Sequence, residues 1–191
     1  MEVEQLLDKI DGLTEKFITN FGGLKEEELN WKPSPDHWSI GQVLEHIILV
    51  NKSYFPQIAT ALRKNQKLPF HARLGFVVRY MEKALLKSVQ PEGSKKVKTF
   101  KIWEPPAGEV GADILDRFPA HHRSLKQVIQ NSKKLLGTGT IISSPANPNI
   151  IYSIDVAYEI LLSHEMRHFN QMQKLMNQME LGRDREADSS R

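Results

Sequence analysis

From Ala157 to Leu175 the chain carries an apolar stripe at helical spacing, and two histidines stand in it. The stripe runs Ala157, Ile160, Leu161, His164, His168, Gln171, Leu175. Residues three and four apart share one face of an α-helix, with Cβ atoms about 5–6 Å apart. The two imidazoles therefore lie one turn above each other and point into the protein. Burying two imidazoles without partners is costly, so the fold must supply something that satisfies them. A shared metal ion is the sharpest candidate, because histidines at i and i+4 can close on one cation.

The same periodicity recurs along the chain. Val3, Leu6, Leu7, Ile10, Leu13, Phe17 and Phe21 predict a first helix over 3–20, ended by Gly22-Gly23. Leu24 to His37 reads as a loop. Ser39 with Gln42 makes a capping box, and Trp38 can staple onto Val43, so a second helix starts here and runs to about Arg63. Its stripe is Ile40, Val43, Leu44, Ile47, Val50, Tyr54, Ile58, with His46 at the edge and Pro56 as a kink or local break. Leu74 to Val89 can form a shorter helix. Gln90 to Gly111, rich in Pro, Gly and Lys, is a long connection that packs one or two aromatics of Thr99-Phe100-Lys101-Ile102-Trp103 onto the bundle, and connections of this length often wall a pocket. Residues 112–136 form another helix, stopped by Gly137-Thr138-Gly139, and Ser143 to Asn149 is a loop. Ser153 or Asp155 caps the last helix, which runs to about Leu181.

No segment shows convincing strand alternation, and no internal repeat is visible. The fold class is therefore all-α: a four-helix bundle with a long connection and a short extra helix, as one domain over 1–181 followed by a polar tail over 182–191. A chain of 191 residues is long enough for one real core. Its 40% hydrophobic and 26% charged residues are ordinary for a globular protein. The net charge of +3 is spread out, and the one dense run, Lys95-Lys96-Val97-Lys98, reads as a solvated loop rather than a nucleic-acid surface. No apolar run is long enough to cross a bilayer. Met1-Glu2-Val3-Glu4-Gln5 is charged and has no leader-like apolar stretch. The absence of cysteine excludes disulfides, thiolate zinc sites and a catalytic thiol of the protein's own; it is compatible with a cytoplasmic setting.

Of the seven histidines, His37 and His71 fall in or beside loops and read as surface residues. His121 and His122 are adjacent and cannot share a face, which leaves room for one of them to point inward. His46 is the one good candidate to join His164 and His168. Three imidazoles hold a divalent ion and leave a position open for water or substrate, which is an argument for chemistry. His164-Glu165-Met166-Arg167-His168 also spells the HExxH pattern of zinc peptidases, in which the Glu is a general base. The extended pattern wants Gly at 171 and His at 174, where this chain has Gln171 and Lys174. Glu165 turns ~100° from His164 and is expected to face solvent or a neighbouring helix.

Taken together, Trp38-Ser39-Ile40-Gly41-Gln42-Val43-Leu44-Glu45-His46 after a Trp31-Lys32-Pro33 loop, Lys101-Ile102-Trp103-Glu104-Pro105-Pro106, and His164-x-x-x-His168-x-x-Gln171 resemble the signatures of the DinB/YfiT-like metalloenzyme superfamily. The resemblance covers nearly the whole chain. It implies a bundle whose first two helices join the last two through a long crossover, and a divalent metal, zinc or nickel, on His46, His164 and His168. Gln171, Trp38, Gln42 and His122 are further residues expected around that centre or its pocket. It also implies a homodimer and a small-molecule substrate. Relatives of known activity are transferases or isomerases that use a low-molecular-weight thiol such as bacillithiol, mycothiol or glutathione. A thiol-dependent S-transferase is thus the leading expectation. A metal-dependent hydrolase on the same site, and a non-catalytic helical bundle working through a binding or dimer surface, are the alternatives.

Overall fold

The computed structural model describes residues 2–90 and 99–189. The run Lys95-Lys96-Val97-Lys98 lies outside the described residues. Six α-helices are formed among them: α1 Val3–Phe21, α2 Glu26–Asn30, α3 Ile40–Leu62, α4 Gly75–Val89, α5 Ile114–Ser132 and α6 Ile154–Ser189. Helix α1 packs on α5 and α6, and α3 packs on the same two, so these four long helices make an all-α bundle with α1 opposite α3. Helix α4, part of the crossover between α3 and α5, lies outside the four against α6.

Two apolar clusters fill the bundle. One gathers Leu6 and Ile10 of α1, Tyr54 and Ile58 of α3, Leu125 and Ile129 of α5, and Ala157 and Leu161 of α6. The other gathers Phe17 and Phe21, Val43 and Ile47, Ile114 and Phe118, and Phe169 and Met172 from the same helices. The first cluster takes the early part of α1 and α6 but the late part of α3 and α5. The first pair of helices therefore runs antiparallel to the second. Between the clusters lies a polar layer, and every inward histidine sits in it.

Local chemistry explains the helix starts. At α3 the Gln42 amide donates to Ser39 Oγ at 3.2 Å, and the Ser39 amide donates to Gln42 Oε1 at 3.2 Å. Of the kink or local break expected at Pro56, the break does not occur: α3 is continuous, with Pro56 on its exposed face, where the lost amide is the least costly. Helix α5 ends in a short tight turn over Lys133–Leu135, and Gly137 and Gly139 take positive φ values of 69° to leave it. At the start of α6 the Val156 amide reaches Ser153 Oγ at 3.4 Å, while Asp155 instead accepts the Gly137 amide at 3.1 Å.

Three features depart from the sequence expectation. The Leu24–His37 stretch contains the short helix α2. Its Asn30 accepts the Val110 amide at 2.8 Å and donates to the Val110 carbonyl at 2.9 Å, pinning the end of the crossover. Gly41 lies beneath that clamp, where a Cβ would come within 2.9 Å of Val110 Cβ. The loop after α5 carries an antiparallel pair, β1 Ile141–Ser143 with β2 Ile151–Ser153, Ile142 facing Tyr152. Helix α6 continues to Ser189 rather than stopping near Leu181, since no proline interrupts this polar end.

Ser39 is wholly buried. Ser39→Ala should lower unfolding stability by about 1 kcal/mol in urea titration, because it removes the cap and leaves the Gln42 amide without its acceptor.

Candidate metal centre

His46 comes from the early part of α3, and His164 and His168 from the middle of α6. The antiparallel packing of those helices brings the three rings together. Nε2 of His46 lies 3.1 Å from Nε2 of His164, and Nε2 of His168 lies 3.0 Å from the same atom. The ring centroids are 4.4–5.0 Å apart.

The outer nitrogens decide what the inner ones carry. Nδ1 of His46 is 2.6 Å from the Trp103 carbonyl, which can only accept, so the proton of a neutral His46 is on Nδ1. Nδ1 of His168 is 2.8 Å from Gln171 Oε1, which likewise takes its proton. Both Nε2 atoms then present lone pairs to His164 Nε2. One hydrogen on that nitrogen could serve one of them only. Nδ1 of His164 is buried and has no partner. Whichever tautomer His164 adopts, the protein alone leaves the cluster short of a positive centre.

All three rings favour the neutral form that binds metal. Burial lowers His46, against the opposing pull of the Trp103 carbonyl. Burial lowers His164 well below its ordinary value, with His168 and His46 adding to it. Burial, then His46, brings His168 down to about 3. Nitrogens bound tetrahedrally at 2.0–2.1 Å would stand about 3.3 Å apart, within a few tenths of an ångström of the two spacings seen. The residues present therefore fit a divalent ion. Among the described residues they are the one group of three His or acidic side chains close enough to hold one.

The histidines open onto a cleft of about 640 Å³ between α3, α4, α6 and the crossover. Trp38 lines it and packs its ring on His46 at 4.9 Å. Gln171 lines it and orients His168. Phe100 and Trp103 form its crossover wall, and Trp103 is anchored to α3 by donating Nε1 to Ser53 Oγ at 3.0 Å. His37 stands at the exposed rim, bonded to Ser34. Gln42 is not in the wall; its amide donates to the Pro106 carbonyl at 2.8 Å and so holds the crossover in place.

His122 lies elsewhere in the same polar layer. Its Nδ1 is 2.6 Å from Thr14 Oγ1, whose own proton goes to the Ile10 carbonyl, so His122 donates from Nδ1. Its Nε2 is 3.1 Å from Glu165 Oε2. Glu165 is fully buried and accepts from Asn51 Nδ2 at 2.7 Å. It faces neighbouring helices and lies outside the cleft wall. His121 is buried as well, stacked on Phe55 at 5.8 Å, with no hydrogen bond to either nitrogen. Both adjacent histidines are thus inside. One face of α5 meets α1 and the other meets α3, so an outward direction is missing for either ring. His71 is half-buried and donates to the Asn149 carbonyl.

What the fold and the centre define is a helical bundle with a three-histidine site at the floor of an open cleft. A family model for the DinB superfamily matches residues 9–172, and the chain belongs to that superfamily. No curated protein and no solved structure matches the chain. Among the described residues no helix is long and apolar enough to cross a membrane.

Two predictions test the layer around the centre. Glu165→Ala should cost about 3 kcal/mol in chemical denaturation, because the buried Asn51 amide loses its acceptor and a cavity opens beside His122, whereas Glu165→Gln should cost less. His121 is pulled down from 6.5 to about 4, first by burial and then by His122. The unfolded chain therefore takes up a proton there before the folded one does. Stability should fall as pH drops through that window, by roughly 3 kcal/mol from this residue, and be full above it. In His121→Phe the loss between neutral pH and pH 4 should be correspondingly smaller.

Proposed function

We propose that the protein is a metal-dependent enzyme in which His46, His164 and His168 hold a zinc or nickel ion, and that it transfers a small thiol onto an electrophilic small molecule. The observation that carries this is the convergence of imidazole lone pairs, short of a positive centre, on the floor of a cleft. Neutral imidazoles suit both metals. Three protein ligands leave a position free on the cleft side.

When bound, the ion supplies a cation beside which a thiol, with a free pKa near 8.5, loses its proton at neutral pH. The protein's own residues do the rest. The Trp103 carbonyl and Gln171 fix the tautomers and ring planes of His46 and His168, as outer partners of metal ligands do. Trp38 covers one face of His46 and limits water. The thiol comes from the cosubstrate, since the chain has no cysteine. Glu165, the general base of the peptidase reading, is turned to Asn51 and His122. That favours transfer over hydrolysis.

Protein purified without chelator should carry about one zinc or nickel per chain by mass spectrometry, and His168→Ala should lose most of it. Because the ion binds the folded state alone, loading at a hundredfold excess over Kd should add about 2.7 kcal/mol to wild-type stability and little to the variant. Loaded wild type should then conjugate low-molecular-weight thiols to a chromogenic electrophile. Metal-free protein unmoved by added zinc would overturn the centre. Loaded protein active without any thiol would overturn the transfer.

A further inference from the structure

The cleft does not end at the histidines. His46, Val50 and Tyr54 are successive i, i+4 positions on α3, while His168, His164 and Ile160 run the opposite way on α6, and all six line the cleft. At 1.5 Å rise per residue, Tyr54 lies about 12 Å along the helix from His46. The levels between are apolar: Val50 and Ile160, with Leu85 of α4 across from them. At the far end the Tyr54 hydroxyl meets that of Tyr152, on β2, at 2.8 Å.

These two hydroxyls are an unusual floor for an apolar channel. Tyr54 and Tyr152 are only 3% and 1% exposed. Burial raises both above the ordinary tyrosine value, so both keep their protons at neutral pH. Two hydroxyls bring two protons and make one bond between themselves. One proton is left over, on Tyr152 if Tyr54 donates and on Tyr54 if Tyr152 does. Either end is in the cleft wall. A buried donor of this kind is costly unless something accepts it.

We propose that the cleft takes an elongated guest: a metal-seeking head at His46, His164 and His168, an apolar middle against Val50 and Ile160, and a hydrogen-bond-accepting tail held by the Tyr54 and Tyr152 hydroxyls. The head rests on the metal reading above; the tail does not. Tyr54 is then a specificity-determining residue for the far end of the substrate, and the spacing along α3 sets the guest's length.

Trp38 and Trp103 both line the cleft, so tryptophan fluorescence can report binding. Two probe pairs are titrated into wild type, Tyr54→Phe and Tyr152→Phe. With zinc-loaded protein the pair is octanohydroxamate and its ω-hydroxy analogue. With chelator-treated protein it is octanol and octyl chloride. The terminal hydroxyl should tighten wild-type binding relative to its apolar match by about fivefold, the weight of one net hydrogen bond, and this advantage should vanish in both variants while the apolar probes bind unchanged. Thermal melts establish that each variant is folded; if one is not, the other decides. Equal affinities within each pair, or an advantage that survives both substitutions, would overturn the proposal. Loss of hydroxamate binding with the alcohol preference intact would overturn the metal reading and leave the tail standing.

Discussion

The carboxyl group of Glu165 sits where the four long helices meet, and the arrangement of the molecule depends on how it is satisfied. It takes the Asn51 amide of α3 and lies against His122 of α5, which in turn donates to Thr14 of α1. Each long helix thus places one polar side chain in a connected, buried set. Sliding any one of them by a turn, about 5.4 Å, would strand a buried polar group at a cost of several kcal/mol. Apolar stripes tolerate such a slip far better, since one leucine replaces another. The polar set therefore fixes the register that the two apolar clusters above and below it leave loose. His164 and His168 project from the next face of the same helical turn, and fixing Glu165 fixes where they point.

The polar layer has two halves that differ in what can reach them. Around Glu165 the Asn51 amide is satisfied, while Asn51 Oδ1, His122 Nε2, Glu165 Oε2 and both nitrogens of His121 have no hydrogen bond. Around His164 donors and acceptors do not match either: two lone pairs address one nitrogen, and the far nitrogen of that ring is unpartnered. The first half is closed on all sides by helices. The second faces the cleft. Only the second half can be completed by a guest that enters from the cleft.

How much of this could be read in the residues follows from the range of each interaction. The helices were legible because their periodicity is local, and the capping box of Ser39 and Gln42 is too. His46 could be placed with His164 and His168 because all three sit on stripes that must meet. Several things could not be read. Ile141–Ser143 and Ile151–Ser153 are too short for alternation to register, and they pair only because the loop between them closes. The role of Trp103 toward His46 is carried by its backbone carbonyl, which leaves no residue signature. Burial of both His121 and His122 required knowing that α5 is flanked on two sides. The Tyr54–Tyr152 contact joins residues far apart in the chain; Tyr54 on its own looked like one more member of an apolar stripe.

The His164-Glu165-x-x-His168 pattern shows why such a motif is settled by what packs against it. Helical geometry guarantees that the two histidines share a face and that the acidic residue lies ~100° away. It does not say what covers that second face. In a peptidase the Glu must reach a metal-bound water. Here Asn51 and His122 close over it, and the group that would act as base becomes the one that sets helix register. The fold thus turns three imidazoles, and no carboxyl group of the motif, toward the cleft. Under the proposed thiol transfer a chain without cysteine takes its thiol from the guest, and the length and polarity of the cleft beyond His46 then select that guest.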